Sequence, residues 1–156
     1  MADVVDAATR SRMMAGIRGK DTAPEMLVRR GLYARGFRYR LHGCDLPGKP
    51  DLVFTRRQAV IFVHGCFWHG HDCHLFKWPG SRQEFWRGKI ARNVGRDEVA
   101  IATLLARGWR VLTLWECAVK GRERKPVEEV LNEVVAWLDH GPQRVTIRGM
   151  QRNGPH

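Results

Sequence analysis

Apolar side chains recur at helical intervals in Leu27, Val28, Leu32 and Tyr33, which predicts a helix from Ala23 to Arg35. Thr22-Ala-Pro-Glu25 just ahead has capping-box spacing with proline inside the first turn. Phe37-Arg-Tyr-Arg-Leu41 then alternates apolar with basic, the pattern of a strand with one buried face and one wet, positive face. After the turn residues Leu46-Pro-Gly-Lys-Pro50, two runs, Asp51 to Phe54 and Ala59 to Val63, flank a polar Arg56-Arg57 and read as a hairpin of buried strands. A second capping box, Ser81 to Glu84, opens a helix bearing Trp86, Ile90, Val94, Ile101, Leu104 and Leu105 and ending at Gly108. Trp109 to Trp115 is a further strand, and Pro126 opens the clearest amphipathic helix, with Val127, Val130, Leu131, Val134, Val135 and Leu138 on one side. Val145-Thr-Ile147 is a late edge strand in a Gly- and Arg-rich tail. At the other end, Met13, Met14 and Ile17 among Arg10, Arg12, Arg18 and Lys20 form a short amphipathic arm. The order implies an α/β fold with a mixed sheet flanked by helices, and 156 residues suit one domain.

Composition adds a partner class. Hydrophobic residues at 44% and charged residues at 28% exclude a disordered basic tail. Lys and Arg number 27 against 16 Asp and Glu, a net charge of +11, which favours a polyanion, either nucleic acid or an anionic membrane surface. No run approaches the roughly 18 apolar residues of a membrane span, and the acidic start, MADVVDAATR, does not read as a secretory leader. Two of the four cysteines sit among histidines, so metal rather than disulfides is expected, in a reducing cytoplasm.

Residues Phe62 to His74 hold two thiols and four imidazoles in thirteen positions, directly after a buried strand. Cys66, Cys73, one intervening histidine and Cys117 from the end of the next strand make a tetrahedral zinc set, closed and therefore structural. The alternative is that the thiols are small buried residues and the histidines surface ones. Histidines left over, His64 and His69, suit acid or base work near neutral pH. Asp51, following Pro50 at a sheet edge, suits magnesium in phosphodiester cleavage, or else caps the Pro-Gly-Lys-Pro turn. Glu25 is explained by its capping box alone. Phe67 and Trp68 are expected to stand outward from the metal-braced loop, as rings that stack on bases or wedge into a duplex, with core packing as the alternative for Trp86.

These residues resemble the very short patch repair mismatch endonucleases, the Vsr family of bacteria. The likeness runs through Thr9-Arg-Ser11, Lys20-Asp-Thr22, Pro24-Glu25, Leu46-Pro-Gly-Lys-Pro-Asp51, His64-Gly-Cys-Phe-Trp-His69, Phe85-Trp86, Gly108-Trp-Arg-Val111 and Trp115-Glu-Cys117. It implies a restriction-endonuclease-like fold with a structural zinc and a magnesium-dependent nuclease site. The implied reaction nicks DNA 5′ of the thymine in T·G mismatches left by deamination of 5-methylcytosine. Carried over, Asp51 and the backbone carbonyl of Val63 face magnesium, His69 is the base, and His64 and Glu25 orient water and phosphate. Cys66, His71, Cys73 and Cys117 match the zinc ligands. Phe67, Trp68 and Trp86 match the aromatic wedge, and Met14 with Ile17 a DNA-gripping arm. The implied division is an arm over residues 1–20, an endonuclease domain over 21–140, and an edge segment and tail over 141–156. Mismatched duplex DNA is the implied partner, with mismatch-repair proteins as further ones, for a cytoplasmic monomer that associates with the nucleoid when bound to DNA. Some members have threonine where Val63 stands, and the second acid and lysine of generic restriction nucleases do not follow Asp51. A nuclease cutting perfect duplex and a non-catalytic zinc-braced DNA-binding module are the rival readings.

Overall fold

A computed structural model describes residues 21–151. The N-terminal arm, with Met14 and Ile17, lies outside the described residues. In chain order the elements are α1 (Ala23–Ala34), β1 (Arg40–Leu41), β2 (Leu52–Phe54), β3 (Ala59–His64), α2 (Gln83–Ala106), β4 (Arg110–Trp115), α3 (Val127–His140) and β5 (Arg144–Ile147). The five strands lie in chain order across one mixed sheet, with β1, β2 and β3 antiparallel and β3, β4 and β5 parallel. Helices α1 and α3 cover one face, where Val28, Leu32, Val130, Leu131 and Val134 meet Leu52, Ile61, Leu112 and Leu114. Helix α2 covers the other, where Ile101 and Leu104 meet Val53, Val60 and Val111. Burying both faces explains why the central strands read as continuous apolar runs. A Cβ at Gly31 would overlap the Leu131 side chain, so glycine is what lets α1 and α3 approach this closely.

Three boundaries depart from the sequence pattern. The strand expected over Phe37 to Leu41 pairs only at Arg40–Leu41, because Arg40 already faces Val53 and β2 gives way after Phe54 to the 3-10 turn Thr55–Arg57. Phe37 and Tyr39 nevertheless pack on the core. Thr22 caps α1 as its spacing implies, its Oγ1 taking the Glu25 N–H at 3.4 Å, but Ser81 does not cap α2. The residue before α2 is Arg82, in the left-handed region at φ 53°, with no side-chain cap. On α2 itself the slot expected for Val94 goes to the buried Asn93, whose amide donates to the Trp68 carbonyl at 2.9 Å. That bond ties the helix to the loop after β3. Among the described residues no helix is long and apolar enough to cross a membrane.

Candidate active site and metal centre

The antiparallel hairpin puts the start of β2 beside the end of β3, and the parallel pairing of His64 with Trp115 brings the end of β4 alongside. Asp51, His64 and Cys117 therefore leave the sheet at one end. Leu52 pairs with Ile61, yet the Asp51 N–H also donates to the Ile61 carbonyl at 3.0 Å, so two residues face one, as at a β-bulge. The Asp51 carboxylate is thereby freed from the pleat and accepts the Val63 N–H at 2.7 Å.

Glu25 is fully buried on α1, where its side chain bears on the Asp51 carboxyl. It also accepts from Arg29 at 2.8 Å and from the Asp21 N–H at 3.1 Å, and lies 3.0 Å from His42 Nε2. Burial first, and then the charge of Glu25, push the Asp51 carboxyl up to about 7 against the pull of the Val63 N–H. A divalent cation beside Asp51 would offset the charge that these neighbouring carboxyls bring to a buried place. The site thus fits the magnesium that the resemblance implies.

Across a cleft of about 1300 Å³ that Asp51 and Val63 also line, His64 and His69 stack with centroids 3.8 Å apart and planes 3° from parallel. The Asp97 carboxylate accepts from His69 Nδ1 at 2.5 Å, which fixes the ring and leaves Nε2 as its other proton site. Burial, and then His69 beside it, hold His64 well below the usual histidine range, so it is neutral at pH 7. Lys49, Arg96 and Lys120 add positive charge to the walls.

Behind the cleft, the donor atoms of Cys66, His71, Cys73 and Cys117 all lie within 4.8 Å of one another. Cys117 Sγ and His71 Nδ1 are 3.6 Å apart, and a tetrahedral Zn²⁺ holds such ligand atoms roughly 3.5–3.8 Å apart. Three thiols and an imidazole make a donor set suited to that ion. The Cys117 thiol is pulled down to about 4, first by the Cys66 thiol, then by His71 and the Gly149 N–H, while Cys66 is pushed up by the same proton sharing. The chain's end straps this cluster. Gly149 N–H donates to Cys117 Sγ at 3.3 Å, and Arg148 holds Asp72 at 2.8 Å, with the Asp72 carboxylate 3.6 Å from His71 Nε2. A Cβ at Gly149 would strike the Cys117 and Glu123 carbonyls.

The rings are arranged differently from the expectation of two outward side chains. Trp68 is buried at 7% exposure, and Phe67 and Trp86 are half-buried in one cluster, their centroids 5.4 Å apart. Apolar contact with Ile90 across Gly70 and the bond from Asn93 draw the loop onto α2. Near this cluster the exposed rings are Trp78 and Phe85.

Asp97 and His42 were not among the residues singled out from sequence. Asp97 carried a signal: Ile90, Asn93, Asp97, Ile101 and Leu104 form one helical stripe, and the polar residues interrupting it mark buried polar work. His42 carried none, being brought to Glu25 only by the β1–β2 pairing.

The family model for DNA mismatch endonuclease Vsr matches residues 2–75. The chain is 47% identical over 138 residues to the DNA mismatch endonuclease Vsr of Escherichia coli, covering 88% of each. It is 48% identical over 117 residues to the type II nicking enzyme V.XorIIP of Xanthomonas oryzae pv. oryzae, covering 75% of this chain and 86% of that one. With the type II nicking enzyme V.NmeAIP of Neisseria meningitidis serogroup A the figure is 38% over 136 residues, covering 86% and 97%. The chain belongs to the DNA mismatch endonuclease Vsr family and is a DNA endonuclease, a hydrolase.

Proposed function

We propose that the protein nicks one strand of duplex DNA 5′ of the thymine in a T·G mismatch, with magnesium as the catalytic ion and zinc as a structural one. The single observation that carries this is the meeting, in one cleft, of Asp51, with the buried Glu25 behind it, and the His69–Asp97 dyad. Asp51 and the Val63 carbonyl would hold the magnesium, which when bound polarises a phosphoryl oxygen. His69, its Nδ1 held by Asp97, takes a proton from the attacking water at Nε2. Neutral His64 keeps the His69 ring in place by stacking and offers a polar edge to the phosphate. Glu25, anchored by Arg29, fixes the Asp51 carboxyl and orients water.

Cys66, His71, Cys73 and Cys117 hold zinc and stiffen the loop that carries Phe67 and Trp68. Those rings with Trp86 would wedge beside the mismatch, where unstacking is cheapest. Because Trp68 is buried, the wedge requires the cluster to open toward DNA. The arm over residues 1–20, with Met14 and Ile17, would grip the duplex beyond a catalytic domain at 21–140, with 141–156 as edge segment and tail. We assign it to the cytoplasm, as a monomer that joins the nucleoid with its DNA and hands the nick to repair proteins.

The test is nicking of paired T·G and T·A duplexes with magnesium. Selective cutting 5′ of the mismatched thymine is expected; equal cutting of both duplexes overturns the mismatch reading, and double-strand cleavage of perfect sites favours a restriction-type enzyme.

A further inference from the structure

We propose that Arg82 and Arg87 form a phosphate grip for the duplex flanking the cleft, each seated over an exposed ring; this rests on the reading that DNA occupies the cleft. The Arg87 guanidinium lies 4.6 Å over Trp78 and that of Arg82 4.3 Å over Phe85, rings 39% and 42% exposed. Arg29, Arg35, Arg40, Arg57, Arg144 and Arg148 pair with carboxylates. Arg82 and Arg87 form no ion pair among the described residues; they rest on rings instead. A guanidinium laid on a ring keeps its N–H edge for a bidentate phosphate contact and loses little freedom on making it.

Two further observations point the same way. Arg82 keeps a left-handed backbone at φ 53°, a conformation costing a non-glycine residue about 1 kcal/mol. The rings are also continuous with the cleft. Phe85 touches Trp86 at 5.2 Å, and Trp86 touches the cleft-lining Phe67 at 5.4 Å. Between residues 77 and 96 the chain carries Lys77, Arg82, Arg87, Lys89, Arg92 and Arg96 against Glu84 alone. A polyanion leaving the cleft along these rings meets an excess of positive charge.

The test titrates full-length protein with a T·G duplex from 50 to 200 mM salt, comparing wild type, Arg82→Gln/Arg87→Gln and the control Arg107→Gln/Arg124→Gln. The grip predicts that the slope of log affinity against log salt falls by roughly 1.8 in the first variant, about 0.9 per phosphate, and not in the control. The T·G over T·A nicking ratio stays unchanged, and trimming one flank of the duplex makes wild type and variant equal. An Arg82→Lys/Arg87→Lys protein with matching thermal stability retains most of the slope. An unchanged slope in the glutamine variant overturns the grip, as does loss of binding only to anionic phosphatidylserine vesicles. If wild type fails to nick T·G duplex at all, the reading of the cleft falls instead.

Discussion

Cys66, His71 and Cys73 sit within eight residues of one loop and need only Cys117 from the adjoining strand end, whereas Asp51, Glu25, His69 and Asp97 come from four separate stretches. Both groups lie at the same end of the sheet. The sulfur cluster is mostly buried and its four donors would close the shell of a tetrahedral ion, the arrangement of a site that holds shape. Asp51, His69 and Asp97 line an open cleft, with Glu25 buried behind Asp51, and are the groups we propose to react. Rigidity is thus assigned to soft, local ligands and reactivity to hard, distant ones.

The largest effect expected is from removing a sulfur. Cys117→Ala should lose bound zinc and lower stability by several kcal/mol, on the order of 10 °C or more in Tm, with the Trp68 loop exposed to proteolysis. Unchanged metal content and melting would break the division between the two regions. Asp51→Ala should instead cut nicking by about 10³-fold or more while leaving zinc content and mismatch binding intact. A change in stability alone would favour the non-catalytic DNA-binding module. Next, Asp97→Asn should lower kcat about 10²-fold and move the pH profile of nicking, with little change in KM or melting, because it disturbs only the tautomer of His69. A loss confined to KM would place Asp97 in DNA binding.

The smallest effect is on stability against pH in protein stripped of divalent ions. Asp51 is raised to about 7 in the fold from 3.8, so between those values the folded state binds more protons than the unfolded one, and stability falls as pH rises through that window. Asp51→Asn should remove that fall and melt a few degrees higher at pH 8. A wild-type melting temperature that climbs over pH 4 to 7 would contradict the carboxyl pair.

What the sequence made legible follows the same division. Periodicity located α1, the hairpin, β4, α3 and the edge strand, because each buries a face set by local spacing. The metal cluster was legible for the same reason. The burial of Trp68 was not, since it depends on α2 folding back so that Asn93 reaches the Trp68 carbonyl, 25 residues away in sequence. Ser81 and Glu84 have the letters of a capping box, yet Arg82 in a left-handed turn redirects the chain before α2 begins. The pairing of Glu25 with Asp51 needed the offset at Asp51, and a one-residue slip of that kind leaves no trace in a hydrophobicity pattern.

The hydrogen bond from Gly149 to the Cys117 sulfur joins the last strand's exit to the turn after β4. During synthesis at about 5–20 residues per second, the roughly one hundred residues between Asp51 and Gly149 occupy on the order of 5–20 s. For that interval the nascent chain carries Asp51 without the Gly149 bond to Cys117. A chain cut short of Gly149 would therefore lack one of the bonds that hold the Cys117 sulfur in place.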